Sequence, residues 1–216
     1  MTGDAATSPT RLDRWSGACW VGAGLLLLVG LLHPDIFETT FADAALDTSL
    51  WVPIHAAAVV GVVLTLFGLL GLYARRADRL GRLGAVGFAL AVPGLVVTAC
   101  VAYAEAFLLP IIADDTPEVF AWDGPVVTSW AVRVTTGLGL LWFVGLFLLG
   151  LALWRSRTVP RSAALTLAIS TVAFIVFAGA FVFVLGPLST LAFAASYVLV
   201  GVALWTGATA SWTRRV

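Results

Sequence analysis

The chain has 216 residues, of which 61% are hydrophobic and 11% charged, with a mean hydropathy of +1.02 and zero formal net charge. Soluble domains carry about 25% charged residues, so this composition excludes one and points to bilayer-spanning helices. All twelve basic residues are arginine, which excludes a lysine Schiff base with retinal or pyridoxal, and no basic stripe with interleaved aromatics marks a nucleic-acid surface.

Residues 1–14 are small and polar and read as a cytoplasmic tail. The first helix is predicted at about 15–32; Arg11 and Arg14 put its start on the cytoplasmic side. Ala42-Asp43-Ala44 resembles a signal cleavage site, but it lies about ten residues beyond an apolar run already long for a signal peptide, so a retained helix is the preferred reading. His33-Pro34 ends this helix, and an acidic loop with Asp35, Glu38, Asp43 and Asp47 follows. The second helix is predicted at 50–74, with Pro53 tolerated in its first turn.

Arg75, Arg76, Arg79 and Arg82 then form a cytoplasmic loop. The third helix is predicted at 83–109, bent at Pro93-Gly94, where a backbone N–H is missing. Pro110 and the acidic residues Asp114, Asp115, Glu118 and Asp123 follow it. The fourth helix spans 127–154, before Arg155, Arg157 and Arg161, and the fifth 162–185. Gly186-Pro187 reads as a tight turn, and the sixth helix spans 188–212, closed by Arg214 and Arg215.

The predicted fold is therefore all-α: one bundle of six transmembrane helices over 15–213, both termini cytoplasmic, in the plasma membrane. Eleven of the twelve arginines fall on the inner side, Arg133 being the exception, and eight of the twelve acidic residues fall outside. Cys19 and Cys100 read as unpaired packing residues. Eight of the nine tryptophans read as interface anchors (Trp15, Trp20, Trp51, Trp122, Trp130, Trp154, Trp205, Trp212), and Trp142 alone falls mid-helix. The mid-helix hydroxyls, such as Thr65, Thr135, Ser170, Thr171 and Ser196, are expected to bond back to their own helices.

At about 1.5 Å rise per residue, His33, His55, Glu105 and Arg133 each lie about 28–35 Å from the arginine end of their helix. The hydrocarbon core is about 30 Å thick, so all four reach the outer boundary, on four different helices. Gly87, Gly94, Thr98, Ala102 and Glu105 share one face of the third helix, and Trp130, Arg133, Thr136 and Gly137 one face of the fourth. Glu105 and Arg133 are the expected ion pair, with Trp130 stacked on the guanidinium, and together they form a candidate ligand-binding set. His33, His55 and Glu105 are candidate ligands for a divalent metal such as zinc or non-haem iron, although no His-x-x-x-His or other recognised metal spacing is present. A haem between His33 and His55 fits less well, because haem ligands usually lie deeper.

Leu32-His33-Pro34, Trp51-x-x-x-His55, Gly71-Leu72-Tyr73-Ala74-Arg75 and Tyr103-x-Glu105-Ala106-Phe107 resemble segments of uncharacterised six-helix, multipass bacterial membrane proteins. The resemblance covers roughly the first half of the chain and implies no activity. No Walker loop, nucleophile elbow or His-Glu-x-x-His motif occurs, and no catalytic residue is assigned. Three functions remain open: a metal- or small-ligand site at the outer face, catalytic or not; a small transporter subunit; and an assembly partner, or homo-oligomer, within a larger membrane complex.

Overall fold

The computed structural model describes residues 8–34, 41–47, 49–178 and 182–208, and every regular element among them is helical. Five stretches are long and apolar enough to cross a bilayer: Arg11–Leu32, Trp51–Asp115, Trp130–Ser156, Arg161–Ala178 and Leu185–Thr206. The expectations for residues 1–7, Asp35, Glu38, Trp212, Arg214 and Arg215, and for the side chain of Asp47, lie outside the described residues.

Helix α1 (Arg11–Leu27) starts inside the expected tail, and a capping box is the reason. Asp13 N donates to Thr10 Oγ1 (3.2 Å) and Thr10 N donates to Asp13 Oδ2 (2.9 Å), so two orphan donors of the first turn are satisfied reciprocally. α1 tightens into a 3-10 turn at Leu28–Leu32 and stops at His33, which is extended as a residue before proline should be. In the acidic loop a short helix, α2 (Phe41–Asp47), was not expected. It buries Ala42, Ala44 and Ala45, including both alanines of the cleavage-like triplet, against Trp51, Leu109, Ala113 and Phe120.

Helix α3 (Trp51–Tyr103) has 53 residues and is interrupted at Gly81, whose φ of 59° and ψ of −160° suit only glycine. The chain reverses there. Tyr73 and Phe88 stack with ring centroids 4.0 Å apart, whereas 15 residues of straight helix span about 22 Å. Trp51, at one end of α3, also reaches Glu105, just beyond the other. The expected second and third helices are thus two arms of a hairpin turning on Gly81, amid the four arginines. The second arm passes Pro93 with helical dihedrals. Its departure from α-helix comes later, in a π-helical turn at Ala104–Leu108, and it continues as α4 (Leu109–Asp115) past its expected end.

The expected fourth helix is three pieces: α5 (Pro125–Thr128), α6 (Trp130–Gly139) and α7 (Leu141–Ser156), with extended backbone at Ser129. Helix α8 (Arg161–Ala173) runs into a second π-helical turn, Phe174–Ala178. Helix α9 (Leu185–Thr206) takes Gly186 and Pro187 into its first turn, where proline has no N–H bond to lose, so the tight turn expected there is not formed by them.

The helices close a ring: α1 packs on the first arm of α3, the second arm on α7, then α7 on α8, α8 on α9, and α9 on α1. Glycines let two of these seams close backbone to backbone. A Cβ on Gly17 would stand 2.5 Å from the Gly201 oxygen, and one on Gly145 would stand 2.5 Å from the Gly87 oxygen. In lipid, such close van der Waals packing is the main force between helices. Rings fill the middle: Trp20–Tyr197 (centroids 4.7 Å apart), Phe193–Tyr197 (4.9 Å), Phe174–Phe193 (4.8 Å) and Trp142–Phe143 (4.6 Å). Trp20 and Trp51 are therefore core residues and not interface anchors. Trp15, Trp122, Trp130, Trp154 and Trp205 are exposed. Both cysteines are free.

At the arginine end, Asp13 is buried and binds the α3 hairpin. Its Oδ1 accepts from Arg76 Nη1 at 2.6 Å, and Arg75 Nε lies 3.9 Å from Oδ2. Nearby, Ser16 Oγ donates to Gly68 O at 2.6 Å.

Candidate functional site

At the opposite end the ring does not close on itself. It leaves a cavity of about 810 Å³, lined by residues of every long helix and by Val182, Phe183 and Val184 before α9. Its walls are chiefly apolar, among them Leu27, Ile54, Val62, Val101, Phe143 and Phe174. The floor is the aromatic centre, through Trp142, Phe143 and Phe174, and the rim reaches the surface at Phe183, which is 91% exposed.

The polar groups collect at one end. Pro34 stops α1 so that His33 hangs over the cavity; His55 sits one turn inside the first arm of α3; Glu105 lies in the π turn that ends the second arm. His33 Nε2 is 3.3 Å from His55 Nε2, and His55 Nε2 is 3.6 Å from Glu105 Oε2. The other ring nitrogens are anchored: His55 Nδ1 on Trp51 O (2.9 Å) and His33 Nδ1 on Pro34 O (2.7 Å). Glu105 keeps 33% of its side-chain surface accessible and lines the cavity.

Local sequence explains the position of Glu105. In the π turn, Leu109 N donates to Ala104 O, five residues back. The next donor in that register would be Pro110, which has no N–H, so Glu105 O loses its helical partner. Trp51 Nε1 donates to that oxygen instead, at 2.7 Å. One tryptophan thus ties the start of the hairpin to its end and supports both His55 and Glu105. The second π turn also faces the cavity, through Phe174 and Ala178. Such turns recur at functional sites.

Three of the four residues expected at one level are brought together, and the fourth is not. Arg133 lies on α6, where every residue from Trp130 to Leu138 is exposed, and its Nε donates to Val127 O at 3.2 Å. The expected Glu105–Arg133 ion pair is not formed, and Glu105 faces His55 instead. Trp130, 77% exposed, does not line the cavity. The helical periodicity through 127–154 assumed one unbroken helix, whereas the backbone is extended at Ser129, between α5 and α6, and α6 ends at Leu140 before α7 begins. On the third helix the expected face divides in two. Gly87 and Gly94 pack on α7, whereas Thr98, Ala102 and Glu105 line the cavity.

The metal and haem expectations meet this geometry differently. Two nitrogens 3.3 Å apart match an edge of a zinc tetrahedron, about 3.3 Å for bonds of 2.0–2.1 Å. However, among the described residues no three His, Cys, Asp or Glu side chains are gathered as a metal ion requires. Axial imidazole nitrogens on opposite faces of one haem iron stand about two bond lengths apart, roughly 4 Å. At 3.3 Å, His33 and His55 leave no room for that plane.

The sequence reading missed Trp51 as a site residue. Its signal was present in the four-residue spacing from Trp51 to His55 and in a proline placed to orphan a carbonyl. No family model, no curated protein and no solved structure matches this chain. The fold and composition define its class: an all-helical protein with the long apolar helices of an integral membrane protein.

Proposed function

We propose that this is a plasma-membrane protein of six transmembrane helices, with both termini cytoplasmic, that binds a small amphiphilic ligand at its outer boundary. The observation that carries the reading is the cavity itself: apolar walls from the whole ring and one polar end made by His33, His55 and Glu105. Its volume falls within the ~300–1,000 Å³ common for small-molecule sites. The arginines around Gly81 support the orientation, because such clusters stay on the cytoplasmic side. The likeness to six-helix bacterial membrane proteins is consistent with the same layout.

Native mass spectrometry of protein extracted in mild detergent tests the reading. A bound amphiphile should appear in the wild type and disappear in Ala58→Trp, which fills the cavity. Equal spectra, or a stoichiometric divalent metal in its place, would count against it. Orientation is tested by single cysteines in a Cys19→Ala/Cys100→Ala background. Asp123→Cys should react with an impermeant thiol reagent outside intact cells, and Arg79→Cys should not.

A second reading, assembly with another chain or another copy, draws on α6, whose residues Trp130 to Leu138 are all exposed although they include Trp130, Val132, Val134 and Leu138. Cross-linking from Val134→Cys in membranes tests it.

A further inference from the structure

The arginines at the Gly81 end divide into two groups. Arg75 and Arg76 are committed to Asp13. Arg79 and Arg82, on either side of the Gly81 reversal, and Arg155, Arg157 and Arg161, around the turn from α7 to α8, are all exposed. None of these five pairs with a carboxylate among the described residues, and Asp78, the acidic residue of the hairpin turn, pairs with none of them. Helix register brings the two turns together. Gly94 meets Trp142, and Gly87, seven residues earlier, meets Leu149, seven residues later, so the second arm of α3 and α7 run antiparallel and in step. Seven residues further, Leu80 is level with Ser156. Leu80, Leu153, Val159 and Ala163 accordingly join one buried cluster, and the five guanidinium-bearing residues share one corner of the ring.

Like charges gathered without counter-charges repel. Arg82 opens the second arm and Arg161 opens α8, where a helix macrodipole already adds positive potential. Arg157 closes α7 with φ 55° and ψ 28°, a left-handed position that glycine or asparagine usually fills. Local structure therefore favours another residue at three of the five positions. The rule that keeps arginine on the cytoplasmic side accounts for their end of the molecule, but not for their gathering in one corner away from carboxylates. The corner is also amphiphilic. The Arg161 guanidinium carbon stands 5.9 Å from the centroid of the Trp154 ring, which is itself 36% exposed. Further from this end, the same three elements present exposed Val86, Val144 and Ile169.

We propose that Arg79, Arg82, Arg155, Arg157 and Arg161 form a seat for the head of an anionic phospholipid, whose acyl chains run along the exposed apolar residues of the same elements. A guanidinium meets a phosphate through two parallel, charge-assisted hydrogen bonds. Five cations exceed the charge of one phosphodiester, so a lipid with two phosphates offsets them best. A zwitterionic head would bring its own cation into the cluster. A free phosphate ion would gain the guanidinium contacts and none of the apolar ones. The seat lies at the end of the ring opposite the cavity and does not depend on what the cavity holds.

The test titrates the full chain in mild detergent, where both ends are open to solution, with tetraoleoyl cardiolipin, dioleoylphosphatidylglycerol and dioleoylphosphatidylcholine, and reads bound lipid by native mass spectrometry. Cardiolipin should bind saturably and at least tenfold more tightly than phosphatidylcholine, with phosphatidylglycerol between them. Inorganic phosphate in tenfold excess should not displace it. Arg82→Gln/Arg157→Gln should weaken cardiolipin binding at least tenfold. Arg11→Gln/Arg14→Gln, which removes the same charge from α1, should leave it within a factor of two. Ala58→Trp should also leave it within a factor of two, which separates this result from the fate of the cavity ligand. The lipid ranking on the wild type needs no variant, so a double variant that fails to fold leaves the test intact. Equal affinity for cardiolipin and phosphatidylcholine would overturn the proposal, and displacement by inorganic phosphate would reduce the seat to an ion site. Equal losses in the two double variants would overturn it in favour of diffuse surface charge.

Discussion

The contact between Asp13 and Arg76 holds the arginine end of the ring shut, and its strength can be worked from its geometry. The two oxygens of Asp13 divide the work: Oδ2 receives Thr10 N and Thr10 Oγ1, and Oδ1 receives Arg76 Nη1 at 2.6 Å. The side chains are 7% and 16% exposed, so screening by water is slight. Exposed ion pairs contribute about 0–1 kcal/mol, and breaking a fully buried one costs about 3–5 kcal/mol. A short charge-assisted hydrogen bond contributes about 1.5–3 kcal/mol. Asp13→Asn keeps an oxygen for the cap but sets an amide NH2 where Oδ1 accepted from Arg76, losing the charge and that hydrogen bond together, so its cost should be about 2–3 kcal/mol. Arg76→Met should cost a similar amount, and the double variant little more than either alone. The expected coupling of about 2 kcal/mol is roughly a 30-fold change in the unfolding constant. Reversible unfolding in mixed micelles, run as a double-mutant cycle, measures it. A coupling below about 0.5 kcal/mol would place this contact among exposed pairs and refute the argument from burial.

Trp51→Phe keeps an aromatic ring but leaves Glu105 O without its donor; a loss of about 1–3 kcal/mol in the same assay is expected. Gly145→Ala puts a methyl against Ala91 and the Gly87 oxygen and should cost about 1–3 kcal/mol by forcing α7 off α3. An unchanged unfolding midpoint would show that the seam is looser than described. Gly81→Ala meets open space but must hold a φ of 59° and a ψ of −160°, so backbone strain of about 1–3 kcal/mol should appear with no change in packing. Arg133→Gln should keep the bound amphiphile seen by native mass spectrometry, because the guanidinium is not part of the site; loss of that ligand would restore the ion pair that the sequence suggested.

Hydropathy and arginine placement made the helices legible, because both follow from the bilayer and are written residue by residue. Depth was legible for the same reason: a count along each helix placed His33, His55 and Glu105 at one level before any contact was known. Rotation about each axis was not legible. It changes at features that a hydropathy count passes over, such as the junction at Leu140 between α6, which carries Arg133, and α7, and the π turn, which presents Glu105. The capping box at Thr10–Asp13 was written in the sequence, but the polarity of its surroundings disguised it as tail. The aromatic centre went unread because a tryptophan near a helix end, such as Trp20, has the same local sequence whether it anchors at the interface or packs under a glycine.

The π turn before Pro110 also says how this site is most cleanly erased. A π turn is an α-helix carrying one residue too many, and each residue of an α-helix advances the chain by about 100° of rotation. Deleting Ala104 would restore ordinary pitch and swing Glu105 around the axis by about that angle relative to Thr98 and Ala102. It would also return a helical donor, Leu109 N, to the Glu105 carbonyl. The chain would lose one alanine and no charge, yet the carboxylate would leave the chamber. Chains that differ here by one residue in length would therefore share the fold and not the ligand, so the length of the segment between Tyr103 and Pro110 distinguishes them better than the presence of a glutamate.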